Sequence, residues 1–115
     1  MLKAINAVLI SSKDPKRLID FYSALGVPLK INDHGDGLHA EADFGDVHFA
    51  IWGRGASEPV ESSNVCFSFH VPELESYYKT LVAKGVKFDH PPMTLPFGGV
   101  ITNLRDPDGN RITLM

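Results

Sequence analysis

Cys66 and His70, in the stretch NVCFSFHV, place a thiol and an imidazole on one short segment. These are the groups that hold zinc and that make thiolate nucleophiles. The stretch reads as a strand, where four residues span roughly 13 Å at about 3.3 Å per residue. Two ligands of one zinc must each lie about 2.0–2.3 Å from it, so this pair is excluded as joint ligands. Cys66 with His48, from the separate stretch VHFAIW, stays geometrically open, but a protein site takes a third ligand and none is evident. As a nucleophile, Cys66 would require a neighbouring base or a depressed pKa. A small buried hydrophobe is the stronger reading of a single strand cysteine.

His48 is the catalytic candidate if the protein is an enzyme. No carboxylate is identified beside it to orient the imidazole, so ligand contact is its expected role. Trp52 offers a flat apolar face to a planar or cationic ligand, or else packs at a rim or subunit contact. Arg111 either clamps a carboxylate or phosphate or sits solvated at a hairpin base. His34, His39 and His90 fall in or beside loops and carry no expected role. NDHGDG is acidic but lacks the alternating oxygen ligands and distant glutamate of a helix-loop-helix calcium site. No G-x-S-x-G, phosphate-loop or dinucleotide fingerprint is present.

The elements that position these residues form a repeat. KAINAVLIS reads as a strand, and KDPKRLIDFYSALG follows as a helix with Asp14 as N-cap, Pro15 at the first helical position and Gly26 past its end. Leu18, Ile19, Tyr22 and Leu25 make its apolar stripe. Val27 to Ile31, LHAEAD and VHFAIW then read as strands, with a tight turn at Phe44 to Asp46. In the second half NVCFSFHV is a strand. ELESYYKTLVAKG is a helix with Leu74, Tyr77, Tyr78, Leu81 and Val82 on one face and Gly85 as its stop. VKFDH, GVITNLRD and NRITLM complete a second βαβββ order, the last two flanking Asp108-Gly109 as a two-residue hairpin turn. A shift of 59 positions aligns Asp14 with Glu73, Ala24 with Ala83, Gly26 with Gly85 and Val27 with Val86. GRGASEPVESS between the halves has a connector's composition. The expected organisation is module one at 1–53, a linker at 54–63 and module two at 64–115, in a single domain. HPPMTLPFGGV, residues 90–100, is a connector or a pocket cover.

A four-stranded module with one helix leaves one sheet face bare, and two modules side by side can curl around a shared cavity with the helices outside. The predicted class is therefore α+β. Strand alternation puts Phe67, Phe69, Val47, Phe49, Ile51, Ile112 and Leu114 under the helices. It leaves Cys66, Ser68, His70, His48, Ala50, Trp52, Arg111, Thr113 and Met115 facing the hollow. His48, Trp52, Cys66, Ser68, Arg111 and Thr113 are the expected ligand-binding residues.

Composition limits the partners. The chain has 115 residues, 43% hydrophobic and 22% charged, with a net charge of -3 and scattered basic residues. That charge pattern does not suit nucleic acid. The apolar runs are too short to span a bilayer. One cysteine cannot form an internal disulfide, and no basic-then-apolar leader stands before the first strand, so a cytoplasmic location is expected.

The first strand leading to KDPKRLIDFYSALGV, the second leading to ELESYYKTLVAKGV and the closing DPDGNRITLM together resemble the vicinal oxygen chelate superfamily. This is the glyoxalase, bleomycin-resistance and extradiol dioxygenase group. The resemblance implies paired βαβββ modules, often dimers, and in the enzymes a divalent metal held by His, Gln or Glu on the first and fourth strands of each module. Those positions here would be Ala7, Ala50 or with a shift His48, Cys66, and Thr113 where a glutamate is usual. By the family register Ala7, Leu9 and Ser11 complete the lining. Alanine has no donor and threonine rarely ligates. The expectation is a metal-free, cofactor-free binder of a small organic molecule, acting as a homodimer and resembling bleomycin-resistance-type binding proteins. The alternative is a glyoxalase-like lyase or dioxygenase-like enzyme with an atypical metal site, and a third reading is a metal-independent lyase or isomerase using His48 as base.

Overall fold

Asp14 and Pro15 start the first helix for separate reasons. The Asp14 side chain accepts a hydrogen bond from the Arg17 amide at 3.1 Å, and Pro15 occupies a first-turn position where a missing N–H costs nothing. The helix ends at Gly26, whose φ of 117° only glycine adopts readily, with its amide donating to the Tyr22 and Ser23 carbonyls. In the computed structural model, which describes residues 1–32, 38–53, 66–96 and 98–115, this helix is α1, Pro15–Leu25. The expected linker at 54–63, His34 and most of NDHGDG lie outside the described residues.

The chain divides into two compact units, Met1–Pro59 and Val60–Met115. Unit 1 runs β1 Ala7–Ser12, α1, β2 Lys30–Asn32, β3 His39–Phe44 and β4 Val47–Gly53. Unit 2 runs β5 Cys66–Phe69, α2 Leu74–Ala83, β6 Met93–Thr94, β7 Val100–Arg105 and β8 Arg111–Leu114. Each is βαβββ with a four-stranded mixed sheet, ordered β1-β4-β3-β2 and β5-β8-β7-β6. The first and last strands of each unit pair in parallel, and the other pairs are antiparallel. The first strand therefore lies at its sheet's edge, paired only with the last, which brings residues distant in sequence to one level.

In unit 1 the stripe Leu18, Ile19, Tyr22 and Leu25 is buried, as are Ile10, Ala40, Phe49 and Ile51 from the strands. The Tyr22 ring lies 5.3 Å from that of Phe49, and Phe21 meets Tyr22 edge-on at the same distance. Such pairs add about 0.5–1.5 kcal/mol beyond burial itself. In unit 2 Leu74, Leu81, Leu104, Ile112 and Leu114 are buried. Tyr77 and Tyr78 are half-buried, but Val82, expected on the apolar face, is exposed. It lies about 100° around the helix from Leu81, beyond a stripe centred on Leu74 and Leu81.

Two sequence expectations in unit 2 require correction. VKFDH is not the third strand. Asp89 donates once to the Asn103 carbonyl at 2.8 Å, after which Pro91 and Pro92 have no N–H to continue a ladder, so regular pairing resumes only at Met93–Thr94, inside the stretch read as a connector. Nor is Asp108-Gly109 a two-residue turn. β7 ends at Arg105 and β8 begins at Arg111, so the loop is Asp106 to Asn110. Asp106 ties it together: its Oδ1 accepts from the Asp108 and Asn110 amides, each at 2.9 Å, and its Oδ2 from Asn110 Nδ2 at 2.8 Å.

Candidate functional site

Each sheet has a buried face and an opposite face that carries the polar groups. In unit 1 the opposite face bears Ala7, Leu9 and Ser11 from β1, His48, Ala50 and Trp52 from β4, and His39, Glu41 and Asp43 from β3. The hairpin register sets Asp43 directly across from His48. His48 Nδ1 donates to Asp43 Oδ1 at 2.8 Å, and its Nε2 lies 4.0 Å from Glu41 Oε1. The absence of an orienting carboxylate, inferred from the sequence, is thus overturned. The Asp43 hydrogen bond holds the His48 pKa above its usual value, opposed by partial desolvation, while the charges of Asp43 and Glu41 add to the rise.

His39 is the residue the sequence most undervalued. It opens β3, beside the preceding loop; its side chain is 3% exposed, and its Nε2 lies 3.3 Å from Glu41 Oε1. Its ring stacks on Trp52, its cross-strand partner, at 4.1 Å and 7°. One face of the indole is therefore already covered. The tight turn at Gly45-Asp46 was the signal available in the sequence, since counting outward from it pairs Phe44 with Val47 and Asp43 with His48.

In unit 2 a hydrogen-bonded chain runs across β5, β8 and β7. Thr113 Oγ1 donates to Asn103 Oδ1 at 2.8 Å, and Cys66 Sγ lies 3.4 Å from Thr113 Oγ1. Asn103 Nδ2 donates to His90 Nε2 at 2.8 Å, and His90 Nδ1 faces the Pro91 carbonyl at 2.7 Å. Amide nitrogen can only donate and carbonyl oxygen only accept, so in this arrangement His90 accepts at Nε2 and donates from Nδ1. His90 was given no role from the sequence; here it terminates the chain. A cavity of about 290 Å³ opens beside it, lined among others by Cys66, Asn103, Arg105, Arg111 and Thr113. Ser68 is exposed and lies across from Thr113 in the β5–β8 register, and His70 Nδ1 lies 3.1 Å from the Met115 carbonyl.

The registers show what lies across from the metal-ligand positions that the resemblance implies. Ala7 lies across from His48 and Leu9 from Ala50; Cys66 lies across from Arg111 and Ser68 from Thr113. Ala50 is therefore the counterpart of Thr113, and His48 the counterpart of Arg111. In unit 1 these positions hold Ala7 and Ala50, and in unit 2 Cys66 and Thr113. Two carry no donor atom, and the neutral hydroxyl of Thr113 is not among the usual Cys, His, Asp or Glu ligands. Neither pair supplies the three protein ligands that a zinc site takes. Among the described residues no three His, Cys, Asp or Glu side chains converge as a metal site, and no helix is long and apolar enough to cross a membrane.

Several solved structures share this architecture. Lactoylglutathione lyase from Agrobacterium tumefaciens superposes with a TM-score of 0.73 at 17% identity, covering 98% of this chain and 92% of that one. TioX from Micromonospora gives 0.72 at 18% identity, with 97% of each chain covered. A glyoxalase/bleomycin resistance protein/dioxygenase superfamily member from Sphaerobacter thermophilus gives 0.74 at 24% identity, covering 98% and 96%. At such identities the likeness speaks for the fold alone. No curated protein sequence matches the chain. The sequence profile of the Glyoxalase/Bleomycin resistance protein/Dioxygenase superfamily matches residues 4–114, and by that match, with paired βαβββ units on the same plan, the chain belongs to this superfamily.

Proposed function

We propose that this protein binds a small organic molecule without a resident metal, on the polar sheet faces that carry Cys66, Thr113, Arg111, His48 and Trp52. The observation that carries the reading is the donor set: Ala7 and Ala50 stand at two of the positions where the resemblance places the enzymes' metal ligands, and Thr113 offers only a neutral hydroxyl. Metal analysis of protein purified without chelator tests it. Less than a tenth of an equivalent of Zn, Ni, Mn or Fe is expected on the order-of-magnitude view that a two-donor site cannot retain an ion. A stoichiometric ion that survives dialysis would refute it.

A second reading rests on a separate observation. The 2.8 Å bond from His48 to Asp43 supplies the orienting partner that a general base requires, so a metal-independent lyase or isomerase is the enzyme this site supports best. Turnover of a candidate substrate that persists in chelator and disappears in His48→Ala would establish it. Turnover lost in chelator would instead favour a glyoxalase-like or dioxygenase-like enzyme with an atypical metal site.

A further inference from the structure

We propose that the unit 2 cavity holds the anionic group of its small-molecule ligand, a carboxylate or a phosphate-type oxyanion, between Arg105 and Arg111. The proposal rests on the small-molecule reading above and names the chemistry of the ligand. Its basis is a placement that the described residues leave uncompensated.

Arg105 and Arg111 are direct cross-strand partners on the last hairpin, and both line the cavity of about 290 Å³. Side chains directly opposite in an antiparallel pair have Cβ atoms about 4.5–5.5 Å apart, where like charges repel. Guanidinium stays charged at any working pH. Among the described residues Arg111 has no hydrogen-bond or ion-pair partner, and Arg105 donates only to the Gly109 carbonyl at 3.4 Å, a long bond. Asp89 lines the same cavity but forms an ion pair with neither. One carboxylate against two guanidiniums leaves the cavity net positive.

The remaining polar groups are engaged with one another. Asn103 uses its oxygen on Thr113 and its nitrogen on His90. The free donors are thus the arginines, whose planar forks match a carboxylate or phosphate bidentately. Thr113 and Cys66 sit beside them, at the level of the sheet where the body of a ligand would lie.

The test is an amide NMR titration of the ¹⁵N-labelled full chain with benzoate, phenylphosphonate and benzamide, the last a neutral analogue of the first. Benzoate or phenylphosphonate should move the amides of Cys66, Arg105, Arg111 and Thr113, with affinity falling as salt rises; benzamide should not. Arg105→Gln and Arg111→Gln should each weaken binding about tenfold, roughly 1.4 kcal/mol. Both side chains are exposed, so a dispersed spectrum will show that the variants fold. Benzamide binding as tightly as benzoate at these residues, or either variant keeping the parental affinity, would overturn the anion assignment and leave small-molecule binding standing. No response at these amides to any of the three probes would also overturn it. Failure of the broader reading shows separately, as a stoichiometric metal in the purified protein.

Discussion

Replacing Thr113 with valine removes one hydroxyl and keeps the shape, so it isolates the bond on which the unit 2 chain depends. The lost interaction is a neutral 2.8 Å hydrogen bond to Asn103 Oδ1. Bonds of this kind contribute about 0.5–1.5 kcal/mol net, and an acceptor left without a partner costs about 1–3 kcal/mol when fully buried. Asn103 is half-buried and borders the cavity, so water can reach its oxygen and the cost belongs near the bottom of that range. We expect about 1 kcal/mol. With an m-value of about 2 kcal/mol/M in urea, the midpoint followed by far-UV circular dichroism should fall by about 0.5 M. Trp52 fluorescence reports on unit 1 alone, and its coincidence with the dichroism curve tests whether the units unfold together. A double-mutant cycle with Asn103→Ala separates the pair from its surroundings, because the loss of the His90 contact occurs in both arms. A coupling energy of about 1 kcal/mol supports the chain; one below about 0.3 kcal/mol, the limit of additivity, would refute it.

Three further outcomes follow from other parts of the structure. Asp43→Asn should lower the His48 pKa toward its ordinary value of about 6.5, read from the imidazole proton resonances, and an unchanged titration would count against the pairing. The sign for stability is set by the raised pKa: the His48–Asp43 contribution is full below about pH 6.5 and is lost as pH rises through the folded-state value, so the variant's stability should vary less across that interval. Gly26→Ala should cost at least about 1 kcal/mol, because the φ of 117° there strains any residue with a Cβ; a neutral melting temperature would show that the helix end relaxes. Leu81→Ala should cost about 2–5 kcal/mol, since Leu81 has no exposed surface, and a loss under 1 kcal/mol would place it outside the unit 2 core.

The sequence by itself determined the elements, apart from the third strand of unit 2, and the alternation of their faces. Asp14, Pro15 and Gly26 bound α1 because capping and backbone permissiveness are local properties of a few residues. The repeated order was legible for the same reason, and the apolar face of α1 followed from its period. At α2 the stripe was read too wide, since Val82 is exposed, because a period shows which residues share a side but not how far the covering surface extends.

Register was decided only by the tertiary structure. A two-residue turn at Asp108-Gly109 would set Arg105 across from Ile112, whereas the loop closed by Asp106 sets it across from Arg111. A slip of one residue turns every side chain to the other face, so the arginine pair and the Thr113–Asn103 bond exist only in the observed register. The same holds for His48, which gains Asp43, and for His39, which gains Trp52. Each of these contacts joins different strands. Hydrophobic period and turn propensity act within a segment, and it is the ladder between segments that chooses which side chain a given side chain will meet.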